Sequence, residues 1–328
     1  MTTDRIRRAL EGVSGIHVTA FDAEDRVDAA VTGEVVARIA RAGIHNIVTG
    51  GNTGEFYAQT IEEIQRVQRV AVAAARAVAK SGGPDAIVTA GIGRSLADAV
   101  ALGRSAEAAG ADLLMLHSVP DPFASPAGIV GYARTLAGKV GLPIMLYLRT
   151  DAIPIARIRE LAGVKGIVGV KAATGNLLYI ADCLRETRDT GLQWVSGLAE
   201  VWAPAHYSVG LRGFTSGLVN LWPQRTLAVH AALGAGNYPE ATRLIDEIAV
   251  FEQLRASENN GANVTVVKEA MRILGDPVGP ARVPGTPTLD PERRRTLDRL
   301  LGEWDLPRLV DTGSDGPGRP TGRGAKGP

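Results

Sequence analysis

Short apolar runs alternate along the chain with longer stretches in which apolar residues recur every three or four positions. The runs span 16–21, 45–49, 86–90, 112–117, 142–147, 166–171, 193–196 and 213–216. Most are near-continuous and rich in β-branched residues, which predicts parallel strands buried on both faces. The stretches between them predict helices over 28–42, 60–80, 95–109, 125–137, 155–162, 176–190, 200–209 and 223–233. The first carries Val31, Val35, Ile39 and Ala42 on one stripe. The second opens on Thr60-Ile-Glu-Glu63, the pattern of a capping box.

Eight strands, each followed by a helix, predict an α/β chain folded as a (β/α)8 barrel. A doubly wound open sheet is the rival. It rarely needs eight evenly spaced units, and no Gly-x-Gly-x-x-Gly follows the first run. Three further helices are predicted over 238–256, 263–274 and 290–304, with Pro277, Pro280, Pro284 and Pro287 between the last two. The expected organisation is a barrel over 1–235, a helical extension over 236–306 packed on it, and a disordered tail over 307–328. That tail is Gly, Pro, Arg and Asp with almost nothing apolar to offset the entropy of ordering.

Composition narrows the classes. Of 328 residues, 45% are hydrophobic and 22% charged, the balance of a globular protein. Net charge is +1, with no basic run bearing interleaved aromatics, so no nucleic-acid partner is expected. No apolar run reaches membrane-span length. The N-terminus lacks a signal-peptide core, and Cys183 is the only cysteine, so a cytoplasmic address is expected. The basic residues include only six lysines, which makes each one worth inspecting.

In such a barrel, reactive groups stand at the C-terminal ends of the strands. Lys171 ends the sixth run, in Ile167-Val-Gly-Val-Lys171. Burial there lowers an amine's pKa and yields the free base that a Schiff base requires. The alternative is a lysine that reaches the rim or pairs with a carboxylate. Tyr147 ends the fifth run and is able to relay a proton or donate to an oxyanion. Strands lie about 4.8 Å apart, so the two heads can meet over the barrel mouth. Gly50-Gly-Asn-Thr-Gly-Glu55, with Asn52, Thr53 and Gly54, offers backbone N–H groups and a hydroxyl suited to a carboxylate. Gly213-Phe-Thr-Ser-Gly217 follows the same logic on the eighth run, through Gly213 and Thr215. His117 ends the fourth run, either to protonate a leaving hydroxyl or as a hydrogen-bonded rim histidine. Arg149 suits a second carboxylate, or else a loop salt bridge. Asp121 is a further candidate for the far end of a substrate. Trp202, Trp222 and Tyr207 read as core or interface, Cys183 as a small buried residue, and Asn259-Asn-Gly-Ala-Asn263 as a helix end.

Taken together, Gly51-Asn-Thr-Gly-Glu55, Leu146-Tyr147 and Gly169-Val-Lys-Ala-Ala-Thr-Gly175 resemble the dihydrodipicolinate synthase / N-acetylneuraminate lyase family. Thr19-Ala-Phe21, Gly91 and Ala108-Ala-Gly-Ala-Asp112 fit the same pattern, and the likeness runs from about residue 10 to 305 in order and spacing. The resemblance implies a class I lyase in which Lys171 forms a Schiff base with a 2-oxo acid, Tyr147 shuttles protons and Thr53 holds the carboxylate. It implies no metal or cofactor, and a homo-oligomer, tetramer or dimer. Departures narrow the substrate. Asn52 stands where these synthases usually carry a first Thr, Val119-Pro-Asp-Pro122 replaces a tyrosine pair, and Ala152 replaces an arginine that holds the aldehyde. Thr53-Gly-Glu-Phe-Tyr57, Arg149 and Gly279-Pro-Ala-Arg282 look like the 5-dehydro-4-deoxyglucarate dehydratase branch, while Asn52-Thr-Gly-Glu-Phe-Tyr57, Gly213-Phe-Thr-Ser-Gly-Leu-Val-Asn220 and Asn259-Asn-Gly-Ala-Asn-Val264 look like dihydrodipicolinate synthase-like members. Leu148 and the Ala-Ala after Lys171 depart from that branch. The expectation is a dehydratase or aldolase of a 2-oxo sugar acid. A synthase condensing pyruvate with an aldehyde, and a non-catalytic 2-oxo-acid-binding homologue, are the alternatives.

Overall fold

The computed structural model describes residues 3–308. Eight parallel strands close into a barrel in chain order: β1 (Val13–Ile16), β2 (Asn46–Thr49), β3 (Ile87–Ile92), β4 (Leu113–Leu116), β5 (Ile144–Leu148), β6 (Ile167–Ala172), β7 (Gln193–Ser196) and β8 (Phe214–Ser216). A short helix α1 (Thr3–Leu10) precedes them. Helices α2 (Ala29–Arg41), α3 (Ile61–Lys80), α4 (Leu96–Ala109), α5 (Pro126–Ala137), α6 (Ile155–Ala162), α7 (Leu177–Glu186), α8 (Ala199–Ser208) and α9 (Pro223–Gly234) follow the strands in turn. Then come α10 (Tyr238–Asp246), α11 (Ala249–Ala256), α12 (Asn263–Ile273) and α13 (Pro291–Trp304). This is the (β/α)8 barrel expected from the pattern, with additional C-terminal helices. The expected tail lies, from residue 309 on, outside the described residues.

The helix starts follow capping chemistry. Thr60 accepts from the Glu63 N–H while Glu63 bonds back to the Thr60 N–H, as the motif predicts. Asp28, Ser95 and Ser125 cap α2, α4 and α5 in the same way.

Two expected elements differ. The first run was expected as a strand over 16–21, but the ladder ends at Ile16. Beyond it the backbone finds other partners. Val18 N–H donates to Asn220 Oδ1, Ala20 N–H to Thr32 Oγ1, and Phe21 N–H to the Val278 carbonyl. An apolar run reports burial, not ladder membership. The single helix expected over 238–256 is two, because the chain bends at Glu247 and Ile248. There the Glu247 carbonyl accepts from the Trp304 indole N–H, and Ile248 turns into the core.

A register irregularity places the key residues. Between Ile144 and Met145 of β5, strand β6 advances by one extra residue, so that Met145 faces Gly169 and Tyr147 faces Lys171. One extra residue switches every later side chain to the other face. Met145 and Tyr147 pack in the barrel interior with Leu113, Met115 and Val195, above Ile6 and Leu10 of α1. Lys171 therefore points into the barrel beside Tyr147 rather than out toward the helices.

Candidate active site

The C-terminal ends of the strands open on a cavity of about 860 Å³. Lys171, Tyr147, Asn52, Thr53, Arg149 and Thr215 line it. Lys171 is 2% exposed, and no acidic side chain pairs with it among the described residues. Its Nζ stands 4.0 Å from the centre of the Tyr147 ring. Burial, helped by the charge of Arg149, pulls the amine down to about 7. Arg149 is exposed and has no carboxylate partner among the described residues. The salt-bridge alternative for it is thus not what the structure shows.

The other buried lysine of the described chain makes the contrast. Lys268, on α12, is 1% exposed and meets Glu55 Oε2 at 2.5 Å, the Pro280 carbonyl at 3.0 Å and the face of Phe21. Burial raises the Glu55 carboxyl and lowers the Lys268 amine, and each charge opposes the shift of the other. Glu55 has φ 62° and also accepts from the Arg282 N–H at 2.7 Å, so this pair bolts the Asn52–Gly54 turn to the C-terminal helices. Lys268→Met strands a buried carboxylate and is expected to lower stability by about 3–5 kcal/mol in urea unfolding. Adding Glu55→Gln to that variant is expected to recover part of the loss.

Tyr147 is held from both sides. Ser118 Oγ donates to its carbonyl at 2.8 Å, and Asn52 Nδ2 donates to its phenol oxygen at 3.4 Å. Burial keeps the phenol above its usual pKa. Thr53 Oγ1 donates to Asn263 Oδ1 at 3.5 Å, and Asn263 Oδ1 also accepts from Arg255 Nη2 at 3.2 Å. Gly54 turns its carbonyl away from the cavity, to Thr19 Oγ1 and Gln59 Nε2.

Three expected candidates stand elsewhere: Gly213, His117 and Asp121. Gly213 precedes β8 at its N-terminal end, the opposite end of the barrel from the cavity. Its N–H donates to the Tyr207 phenol, its φ is +71°, and a Cβ there would lie 2.1 Å from the Leu10 carbonyl oxygen. It is a packing glycine, and only Thr215 and Gly217 of that motif reach the cavity. His117 sits behind the cavity wall. It stacks on Phe56 at 4.1 Å, with Nε2 2.8 Å from the Gly50 carbonyl oxygen, and burial pushes its pKa down to about 3. A neutral ring facing that carbonyl supports the glycine turn and does not reach a leaving hydroxyl. Asp121 is exposed and accepts from the Phe123 N–H, off the cavity.

The C-terminal helices bring residues that the pattern did not single out. Glu252 and Arg255 of α11 pair at 2.6 Å and line the cavity over Gly217, where a Cβ would lie 2.5 Å from Arg255 Nη2. Behind them Glu200 accepts from Ser216 and Thr226, and burial with the nearby Glu252 charge pushes it up to about 7. The i,i+3 pair was readable as a pair, but nothing in the sequence said that α11 overhangs the barrel mouth. Trp202, expected as core or interface, covers Gly175 and lines the cavity. Among the described residues, no cluster of three His, Cys, Asp or Glu side chains is placed to hold a metal ion. No described helix is long and apolar enough to cross a membrane.

A barrel with an unpaired buried amine, a phenol and a glycine-bearing turn at its mouth carries the groups that a lyase of the aldolase and dehydratase kind uses. The chain belongs to the dihydrodipicolinate synthetase family, whose model matches residues 9–303. A protein of Cereibacter sphaeroides named "probable 5-dehydro-4-deoxyglucarate dehydratase" is 30% identical, over 92% of this chain and 98% of its own. A 4-hydroxy-tetrahydrodipicolinate synthase of Methanosarcina mazei is 29% identical, over 88% and 97%. The crystal structure of a dihydrodipicolinate synthase from Oceanobacillus iheyensis superposes with a TM-score of 0.87 at 35% identity, covering 93% of this chain and 99% of its own. The protein is therefore an enzyme, and the non-catalytic alternative falls.

Proposed function

We propose that the enzyme dehydrates a 2-oxo sugar acid of the 5-dehydro-4-deoxyglucarate kind through an iminium on Lys171. The carrying observation is the Lys171 amine: buried, without a carboxylate, held near 7 and set against Tyr147 in a cavity far larger than pyruvate. Thr53 and the backbone of its turn receive the 2-oxo acid carboxylate, in place of the long contact to Asn263. The amine adds to C2, and Tyr147 protonates the resulting hydroxyl, which leaves as water. The phenolate then takes a proton from C3 and gives an enamine. The enamine pair expels the C4 hydroxyl, which leaves as a second water with the phenol proton. The iminium acts as an electron sink throughout, and hydrolysis frees Lys171.

Three features support a sugar acid over an aldehyde condensation. Ala152 offers no guanidinium, Val119–Pro122 offers no tyrosine pair, and Arg149 presents an unpaired cation to a second carboxylate. The same reading carries a cytoplasmic address and a homo-oligomer, supported by the lone buried cysteine and by family membership. Borohydride trapping with intact-mass analysis tests the reading. Pyruvate and 5-dehydro-4-deoxyglucarate should each leave an adduct on Lys171, and only the second should be released as a product lighter by water. No adduct from either sinks it.

Arg149→Ala is expected to raise KM for the dicarboxylate about 10- to 100-fold, the worth of a charged hydrogen bond. It should also move the acid limb of the pH–rate profile upward, because the Arg149 charge helps to depress Lys171. An unchanged KM would assign the far carboxylate elsewhere.

A further inference from the structure

The link between α11 and α12 contains three successive non-glycine residues in the left-handed region: Glu258, Asn259 and Asn260, with φ 52°, 55° and 68°. Each costs energy that a plain loop would avoid, and such strain collects at functional positions. The turn is firmly pinned. Glu258 accepts from Arg293 Nη1 at 2.5 Å and from Thr286 Oγ1 at 2.9 Å, and the Gly261 carbonyl accepts from the Thr286 N–H at 2.9 Å. Gly261 admits no side chain, since a Cβ would lie 2.9 Å from the Glu258 carbonyl oxygen. Asn259 and Asn260 are exposed and line the cavity, and their amides have no protein partner among the described residues. Gln253 of α11 lines the same wall, exposed and equally unengaged. Left-handed conformation alone would be met more cheaply by glycine, which the chain uses at the next position.

We propose that this strained turn is a subsite for vicinal hydroxyls: the Asn259 and Asn260 amides, with Gln253, bind the hydroxylated middle of the substrate while its 2-oxo acid end sits on Lys171. A primary amide both donates and accepts, which matches a diol and neither a hydrocarbon nor a bare carboxylate. Each hydroxyl that such an amide holds adds hydrogen-bond energy that an analogue without the hydroxyl lacks. The inference rests on the Schiff-base reading above and names the substrate class that reading serves, a polyhydroxylated 2-oxo acid.

The test compares 5-dehydro-4-deoxyglucarate with 2-oxoadipate, a six-carbon 2-oxo dicarboxylate without hydroxyls, by the concentration of each that half-saturates borohydride trapping. Asn259→Gly/Asn260→Gly keeps the left-handed backbone and removes only the amides. Gln253→Ala, at a helix position that favours alanine, serves as the variant least able to disturb folding. Wild type should prefer the hydroxylated acid about tenfold or more, as expected for two or more hydrogen bonds. The double variant should lose at least fivefold of that preference, and Gln253→Ala a smaller part, with the 2-oxoadipate value unchanged in both. A preference retained in both variants, or both ligands weakened alike, overturns the subsite. An absence of any adduct in wild type instead overturns the Schiff-base reading, and the subsite with it.

Discussion

Lys171→Ala is expected to abolish trapping and to lower turnover by on the order of 10⁴-fold or more, because a covalent route loses its nucleophile outright. Lys171→Arg should not rescue it, since a guanidinium stays protonated and forms no iminium here. The wild-type pH–rate profile should show an acid limb near pH 7, set by the depressed amine. A limb near 10 would mean that the amine is not depressed and that the burial argument fails. The same shift has a thermodynamic face. The folded protein holds the Lys171 proton less tightly than the unfolded chain does. The cost to stability is therefore absent above the unfolded value of about 10.5, grows as pH falls, and is complete below about 7. Lys171→Met should accordingly be more stable than wild type at pH 7, by up to about 4 kcal/mol. The gap should close as pH approaches 10. A methionine variant no more stable at pH 7 would show that the amine has a partner after all.

The barrel was legible because most strands are short apolar runs and several helices open on a cap that names their start, as at Thr60, Ser95 and Ser125. Lys171 and Tyr147 were legible because both end such runs. What sequence periodicity could not show is which end of a strand a glycine occupies. Gly213 and Gly217 read alike in Gly213-Phe-Thr-Ser-Gly217, yet one packs on Leu10 at the bottom and the other lies under Arg255 at the top. His117 was placed on the right strand end, but a stacking partner such as Phe56 comes from tertiary packing and left no trace in spacing. The α11–α12 wall was hidden for the same reason. Helices beyond the eighth repeat have no fixed place in the pattern, so Asn259 and Asn260 read as a helix end until the fold set them over the cavity.

Tyr147→Phe is the second large effect expected, a fall in kcat of about 10²–10³-fold, the usual worth of a positioned proton donor. Its particular form follows from Asn52. Where a hydroxyl could pass a proton along, an amide does not give up its proton, and here its N–H donates to the phenol oxygen. On the proposed reading the phenol proton is directed at the substrate, and the phenol is expected to exchange protons with substrate and water rather than with a second side chain. Asn52 is thus a positioning residue for Tyr147. Asn52→Leu should cost much less, about tenfold in kcat, by letting the phenol turn. Combined with Tyr147→Phe it should cost nothing more, since with the hydroxyl gone there is nothing left to orient. Additive losses in that double variant would show that Asn52 acts on the substrate directly. An Asn52→Leu loss as large as that of Tyr147→Phe would show that the proton path runs through position 52 despite its chemistry.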